Sequence, residues 1–429
     1  MPSSSPGTLA SSSSSATTAA DLSRRLSLGA ALIAAACARP QIGPAAGPAV
    51  VLPEIRIGIA VSASTVSLGG GSELTLTTPD GGGVAVVPAG SIATVTPDPA
   101  GLRLRIPGEQ PRALLSLTAT ASDTAPLRVN GRDYRGRVLL SGTPAGVLAV
   151  NALDLESYVQ GVVGAEMGRR TEPDLAALRA QAVVSRTLGL KALGRWRLRG
   201  YDLVSTVADQ AYAGIGFESP LSTLAAVQTR GEILTWQGQP IDVFFHSTCG
   251  GRTADGVEVF AGADRPYLRS FRDEDAGGHA WCAISPRFRW QESWTGEALA
   301  RTLRETLPAA GGSAELADRL RDVRVLDRTP TGRVARLELA GAGGSLVVTG
   351  PVARLVLRTA DGSILRSANF NLQVTRSGSR IVRLDAVGSG AGHGVGMCQW
   401  GAIGRARAGF SYQDILSAYF PGTAISRTY

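Results

Sequence analysis

Residues 154–187 read DLESYVQGVVGAEMGRRTEPDLAALRAQAVVSRT, and the rest of the chain is organised around them. From Leu155 the apolar positions fall at Tyr158, Val159, Val162, Val163 and Met167, the spacing of a helix with one buried face. Asp154 stands where an N-cap is expected. Glu166 lies four residues after Val162 and therefore on the apolar stripe. A carboxyl placed there is partly desolvated, which raises its pKa and favours the protonated acid. A general acid for glycosidic or acyl chemistry needs that form. Two bland readings stand beside this one: the helix ends before Glu166, or Glu166 pairs with an arginine such as Arg186.

The second half of the stretch reads as another helix. Thr171 with Asp174 has the spacing of a capping box, and Pro173 suits a first turn. Its alanines, Ala176, Ala177, Ala180 and Ala182, let a neighbour approach closely, as do Gly161 and Gly164 on the first helix.

Working outward towards the N-terminus, residues 1–22 are Ser/Thr/Ala-rich, and residues 1–38 read as an irregular N-terminus plus a signal segment. Arg24-Arg25 before the short apolar run 29–36 resembles a twin-arginine export signal. The run is too short to span a bilayer. Cys37 offers a weak lipid-attachment site, so the expected location is the periplasm or cell envelope. Residues 39–53 form a Pro/Gly/Ala linker. Residues 54–150 are β-rich, and Gly131–Leu140 reads as a hairpin. Residues 151–284 hold the core motifs, with strands expected at Val227–Trp236 and Asp242–His246. An insertion of helix and β-hairpins occupies 285–385, helical at Gly296–Leu307, with strands at Asp322–Asp327, Arg333–Leu339 and Ser345–Val348. Residues 386–429 complete the fold. Helices and strands do not alternate regularly, so the expected class is α+β.

The 429 residues carry a formal charge of +8, almost wholly from arginine, since Lys191 is the only lysine. A Schiff-base mechanism is thereby disfavoured, and arginines suit carboxylate or phosphate partners. Nucleic acid is not an expected partner, because no arginine run interleaved with aromatics stands out and export removes the target.

Each of the three histidines lies near a cysteine: His246-x-x-Cys249, His279-x-x-Cys282, and His393 five residues before Cys398. That spacing suits a tetrahedral zinc site built on Cys249 and Cys282 with His246 or Cys398. A Cys249–Cys282 disulfide is the competing reading for an exported protein. The run Gly388–Gly396 is too glycine-rich for a helix or a central strand. It lacks the strand–turn–helix frame of a dinucleotide site.

Several motifs, in order, resemble the SpoIID/LytB family, that is, stage II sporulation protein D and the amidase enhancers. They are Leu155-Glu156-x-Tyr158-Val159-x-Gly161-Val162-Val163-x-x-Glu166-Met167, then Ala177-Leu178-Arg179-Ala180-Gln181-Ala182-Val183-x-Ser185-Arg186-Thr187. Asp209-Gln210-x-Tyr212-x-Gly214, Ser247-Thr248-Cys249-Gly250-Gly251-Arg252-Thr253 and Pro266-Tyr267-Leu268 follow. Gly392-His393-Gly394-Val395-Gly396-Met397-x-Gln399-x-Gly401-Ala402 and Tyr419-Phe420-Pro421-Gly422-Thr423 close the series. Gly168 replaces the family's usual proline, and Cys249 and Cys398 stand where many members have serine.

The resemblance implies a β-rich SpoIID-like fold with a small helical core carrying a catalytic Glu166. It implies a lytic transglycosylase that cleaves the MurNAc–GlcNAc β-1,4 bond of peptidoglycan and leaves 1,6-anhydroMurNAc ends. By motif match the substrate-binding candidates are Gln181, Arg186, Gln210, Tyr212, Ser247, Thr248, His393 and Gln399. The implied partner is glycan stripped of stem peptides, whose lactyl carboxylates would suit Arg186. The alternative is a non-catalytic enhancer of an N-acetylmuramoyl-L-alanine amidase; a carbohydrate-binding surface protein is a third reading.

Overall fold

The structure, a computed structural model, describes residues 51–122, 125–206 and 208–429. The expectations for the signal segment, Arg24-Arg25, Cys37 and most of the linker lie outside them. Among the described residues no helix is long and apolar enough to cross a membrane.

Two sheets make the N-terminal half, antiparallel throughout except where Leu203–Val204 pairs parallel with Glu54–Ala63. The larger is ordered Leu203–Val204, Glu54–Ala63, Gly146–Asp154, Arg137–Thr143, Ser116–Ala121, Leu74–Thr77, Gly83–Val87. The smaller is ordered Arg132–Tyr134, Leu127–Val129, Val66–Gly69, Ile92–Asp98, Gly101–Arg105, Arg112–Leu114. Alternate residues point inward, as a two-residue side-chain period requires. Leu74 and Leu76 from one sheet and Leu102 and Leu104 from the other enter the same apolar core. The expected hairpin over Gly131–Leu140 does not form. Arg132–Tyr134 pairs with Leu127–Val129 through the left-handed Asn130-Gly131 turn, whereas Arg137–Thr143 belongs to the other sheet. The glycine signal marked a crossing between sheets.

Strand Gly146–Asp154, buried along nearly its whole length, delivers the chain into α1 (Leu155–Met167). Asp154 caps α1 by accepting the Ser157 N–H at 2.9 Å. Helix α2 (Leu175–Ala192) follows a short 3-10 turn, Glu172–Asp174. The capping box does not form: Thr171 makes no side-chain cap bond, and Asp174 is drawn instead to Arg407 at 2.6 Å. What lies against Gly161 and Gly164 is the segment Tyr212–Glu218, close enough that a Cβ on Gly164 would meet the Phe217 carbonyl at 2.1 Å.

The remaining helices are α3 (Pro220–Gln228), α4 (Gly296–Thr306), α5 (Ala314–Asp318), α6 (Gly350–Val356), α7 (Gln399–Arg407) and α8 (Tyr412–Tyr419). Helix α2 packs on α1, α3, α7 and α8. Helix α3 takes Val227 and Gln228 from the expected strand, leaving Glu232–Trp236 extended; of Asp242–His246 only Phe245–His246 is strand, paired in parallel with Met397–Cys398. Within the insertion, strand Arg289–Thr295 precedes α4, which falls where the helix was expected. This segment has a second apolar core of its own, from Trp290 to Ala386. Its first and last strands pair antiparallel with Arg289 opposite Ser389, so it leaves and rejoins the main body at adjacent points. Gly388 belongs to the last of these strands, and the glycine-rich turn proper starts at Gly390. The α+β, β-rich class expected of the sequence is the one observed.

Candidate active site and thiol cluster

A cleft of about 1350 Å³ lies between the helical core and the insertion. Glu166, from the last turn of α1, lines one wall with Arg170, Lys191 and Arg195; Arg287, Arg354 and Arg366 line the other. His246, Ser247, Phe244, Phe260, His393, Gln399 and Trp400 complete the lining. Gly168 ends α1 at φ 67°, a conformation closed to proline, so the chain turns away directly after the carboxyl.

Glu166 Oε1 accepts the Ala211 N–H at 2.6 Å, and Oε2 lies 3.4 Å from Gln399 Nε2. Burial raises the carboxyl above its ordinary pKa, outweighing those two bonds. The helix thus extends through Glu166, and the suspected Arg186 pairing is absent. Of the three other carboxylates lining the cleft, two are ion-paired, Asp209 with Arg195 and Asp242 with Lys191 and Arg265, while Asp361 is exposed and held below the ordinary carboxylate range by hydrogen bonds from Thr359 and Ser363, so it stays ionised.

The motif-matched residues separate into two layers. Ser247, His393 and Gln399 face the cleft with Glu166. Gln181, Gln210, Arg186, Tyr212 and Thr248 are buried behind it. Gln181 Oε1 lies 3.4 Å from Gln399 Nε2, and Gln181 Nε2 donates to Ser185 Oγ at 3.0 Å, so it positions rather than binds. Gln210 Nε2 donates to the Ser185 carbonyl at 3.3 Å. The Tyr212 hydroxyl donates to Asn151 Oδ1 at 2.7 Å. Thr248 Oγ1 pairs with Ser285 Oγ at 2.8 Å.

Arg186 requires the clearest correction. It is fully buried, and its Nε and Nη2 donate to the two oxygens of Glu156, both at 2.8 Å. It cannot reach a substrate carboxylate. Sequence reasoning also passed over Trp400, although it sits inside the quoted C-terminal motif; Arg170 lies 4.7 Å over its ring. It passed over Arg195-Trp196-Arg197-Leu198-Arg199 too, an exposed arginine run interleaved with an aromatic, with Arg199 lying 4.4 Å over Trp196.

Residues Gly390, Gly392, Gly394 and Gly396 all have positive φ, between 69° and 101°. At Gly394 a Cβ would meet the buried Arg333 guanidinium at 2.5 Å, and at Gly396 the Phe244 carbonyl at 2.1 Å. Positive φ and contact together require glycine at both. This turn holds His393 5.1 Å from Phe260 and 5.5 Å from His246, ring centre to ring centre. Burial pushes the His393 imidazole down to about 4, so it stays neutral at physiological pH. Its folded pKa lies below the ordinary 6.5. The stability it contributes is therefore present above 6.5 and lost as pH falls towards 4. Replacement by Asn is expected to flatten that part of the acid-unfolding curve, read by circular dichroism against pH.

Cys249, Cys282 and Cys398 form a buried, unbonded group with their sulfurs all within 4.8 Å. Cys249 and Cys282 Sγ lie 3.4 Å apart. Backbone N–H groups of Cys249 and Gly401 point at Cys398 Sγ, at 3.1 and 3.2 Å, where the sulfur caps α7, while burial pushes the Cys398 thiol up. Hydrogen bonds from the other two thiols push Cys282 down to about 3. Such a group can hold a metal ion, and it lies beneath the cleft, tying Ser247–Gly251 to the start of α7. His246 does not join it. Its Nδ1 faces the Val395 carbonyl at 3.1 Å, and its Nε2 is buried without a partner. His279 is exposed beside Asp275.

The sequence that builds this fold is similar to that of known proteins. The chain belongs to the SpoIID family, whose model, described as stage II sporulation protein, matches residues 144–236. A second model, a domain of unknown function (DUF8618), matches residues 279–396. The chain is 30% identical over 293 residues to stage II sporulation protein D of Bacillus amyloliquefaciens, covering 65% of this chain and 76% of that one. It is 29% identical over 293 residues to the protein of that name from Bacillus subtilis, with the same coverage. The amidase enhancer of Bacillus subtilis is 27% identical over 292 residues, covering 62% of this chain and 40% of that protein. Membership supports a cell-wall-related role.

Proposed function

We propose that this protein is a peptidoglycan lytic transglycosylase acting through Glu166. The observation that carries the reading is a carboxyl with a raised pKa, free of any cationic partner among the described residues, in a cleft whose Asp209 and Asp242 are ion-paired. Ordinary hydrolytic glycosidases need two working carboxyls. A single one suffices when the nucleophile belongs to the substrate. Glu166 would give its proton to the glycosidic oxygen as the C1–O bond breaks. Its carboxylate would then take the proton of the muramic acid 6-hydroxyl as that oxygen bonds to C1. No water is consumed, and a 1,6-anhydro end results. Gln399 and the Ala211 N–H orient the carboxyl, while His393, Ser247 and Trp400 are placed to meet sugar.

The test is digestion of purified peptidoglycan, with and without stem peptides, followed by mass analysis for anhydro ends. Their absence with every substrate overturns the reading. The match to an amidase enhancer favours a second reading, in which the protein binds glycan and stimulates an N-acetylmuramoyl-L-alanine amidase. Stimulation of amidase turnover without anhydro product selects it.

We further infer that the thiol cluster holds zinc, through Cys249, Cys282 and Cys398. Three sulfurs leave one position of a tetrahedral ion for another donor. Export to the cell envelope belongs to the same reading. The expected result is about one zinc per chain by elemental analysis, with a lowered melting temperature after chelation. Metal-free protein with a mapped Cys249–Cys282 disulfide decides against it.

A further inference from the structure

Helix α2 ends in the run Arg195-Trp196-Arg197-Leu198-Arg199, with a glycine in the left-handed region on either side, Gly194 at φ 77° and Gly200 at φ 85°. Every residue from Gly194 to Gly200 is exposed, and the Leu198 side chain is fully so. Trp196, Arg197, Leu198 and Arg199 do not line the cleft. A single exposed leucine is ordinary. A leucine held out between two arginines, beside an exposed tryptophan, is not.

The turn is tied down. Arg197 N–H donates to the Gly194 carbonyl at 3.2 Å, Arg199 N–H to Trp196 at 2.7 Å and Gly200 N–H to Arg197 at 3.1 Å. Trp196 bridges to Tyr201, which packs with Leu148 and Val150. At the base, Gly194 N–H donates to Asp202 Oδ1 at 2.7 Å, and Asp202 Oδ2 accepts the Arg56 N–H at 2.9 Å. Leu198 is therefore presented by an ordered turn.

The charge at the tip is not cancelled. Arg195 pairs with Asp209, and Asp202 is spent on backbone N–H groups. Arg199 lies 4.4 Å over the Trp196 ring. Neither Arg197 nor Arg199 has a carboxylate partner among the described residues. Two such arginines would suit any polyanion. Leu198 decides between them, since a hydrated polymer gains nothing from a bare leucine. A bilayer interface takes the leucine among its acyl chains and the indole at headgroup level, while arginines meet lipid phosphates.

We propose that the turn Gly194–Gly200 is a contact for an anionic phospholipid bilayer, with Leu198 and Trp196 entering the interface and Arg197 and Arg199 on the headgroups. Arg195 also lines the cleft, so the contact sets one wall of the cleft beside the lipid surface. The contact is independent of what the cleft binds or cuts.

The test is sedimentation of the full chain with vesicles of phosphatidylcholine alone or mixed with phosphatidylglycerol. The mixed vesicles should bind more protein, and salt should weaken the preference. The double substitution Arg197→Gln with Arg199→Gln should weaken binding to them by about fivefold for each arginine lost. Leu198→Ser should weaken it several-fold, by an amount that salt does not reduce. These side chains are exposed, so unchanged circular dichroism is expected of all variants. Equal binding to both vesicle types overturns the proposal. So does equal binding by parent and double variant, which would place the lipid contact elsewhere in the chain. Leu198→Ser binding as tightly as the parent also overturns it; if soluble poly(glycerol phosphate) then strips the parent protein from the vesicles, the arginines serve an anionic wall polymer instead.

Discussion

Glu166→Gln is expected to reduce the release of anhydro ends by at least about 10²–10⁴-fold, the usual contribution of general acid–base catalysis. Glutamine fills the same volume and can keep the bond from the Ala211 N–H, but it cannot give a proton and take one back. Glycan affinity should be unchanged. The pH dependence follows from the direction of the shift: burial raises the Glu166 pKa, so the competent acid persists above the usual carboxylate range and activity falls as pH rises through the raised value. The same shift makes a stability statement. A carboxyl whose folded pKa exceeds its unfolded one penalises the fold once it ionises. Glu166→Gln should therefore melt higher than wild type at neutral pH, with the gain vanishing at a pH below the unfolded pKa. Equal rates of anhydro release by the two proteins would place the catalytic carboxyl elsewhere.

Arg186→Ala should cost about 3–5 kcal/mol of folding stability, the range for removing one partner of a buried ion pair. Its guanidinium holds both oxygens of Glu156 and also reaches the carbonyls of Glu232 and Ala226, at 3.1 and 3.2 Å. Burial alone would raise the Glu156 pKa, yet the bonds and charge of Arg186, with the Tyr429 hydroxyl and the Gly231 N–H, hold it below the ordinary value. The substitution leaves that carboxylate buried with only the last two donors. The wild-type pair contributes stability above the unfolded pKa of Glu156 and loses it as pH falls through the lowered folded value. Urea unfolding at neutral and acid pH should thus show a large loss at pH 7 that narrows in acid. The paired change Glu156→Gln with Arg186→Met, which removes both charges, should recover much of it. A loss below about 1 kcal/mol for Arg186→Ala would mean the pair is dispensable.

The parts legible in the sequence were the local ones. The α1 stripe, the Asp154 cap and the desolvated Glu166 all follow from residues within a few turns of each other. The Thr171/Asp174 cap had the right spacing and failed because Arg407, far along the chain, takes the Asp174 carboxylate. Arg186 misled for a related reason: α2 is packed on several sides, so its polar residues face other protein rather than solvent. The cysteines were legible as a group, but spacing could not show that the His246 imidazole turns to Val395 while Cys398 turns inward. Arg354 and Trp400 carry no spacing signal. Only the path of the insertion brings Arg354 to the cleft.

Glu166 and Gln399 meet across 233 residues, and Met397–Cys398 lies beside Phe245–His246 only after the whole insertion has been passed. Contacts so distant in the chain are slow to form, because the loop must close before the contact repays it. During synthesis a ribosome-bound chain would own its glutamate long before it owned the glutamine, the histidine turn or the tryptophan. The cleft is thereby completed only once Gln399 has been made, long after Glu166, so the order of translation itself sets when the two halves of the site come together.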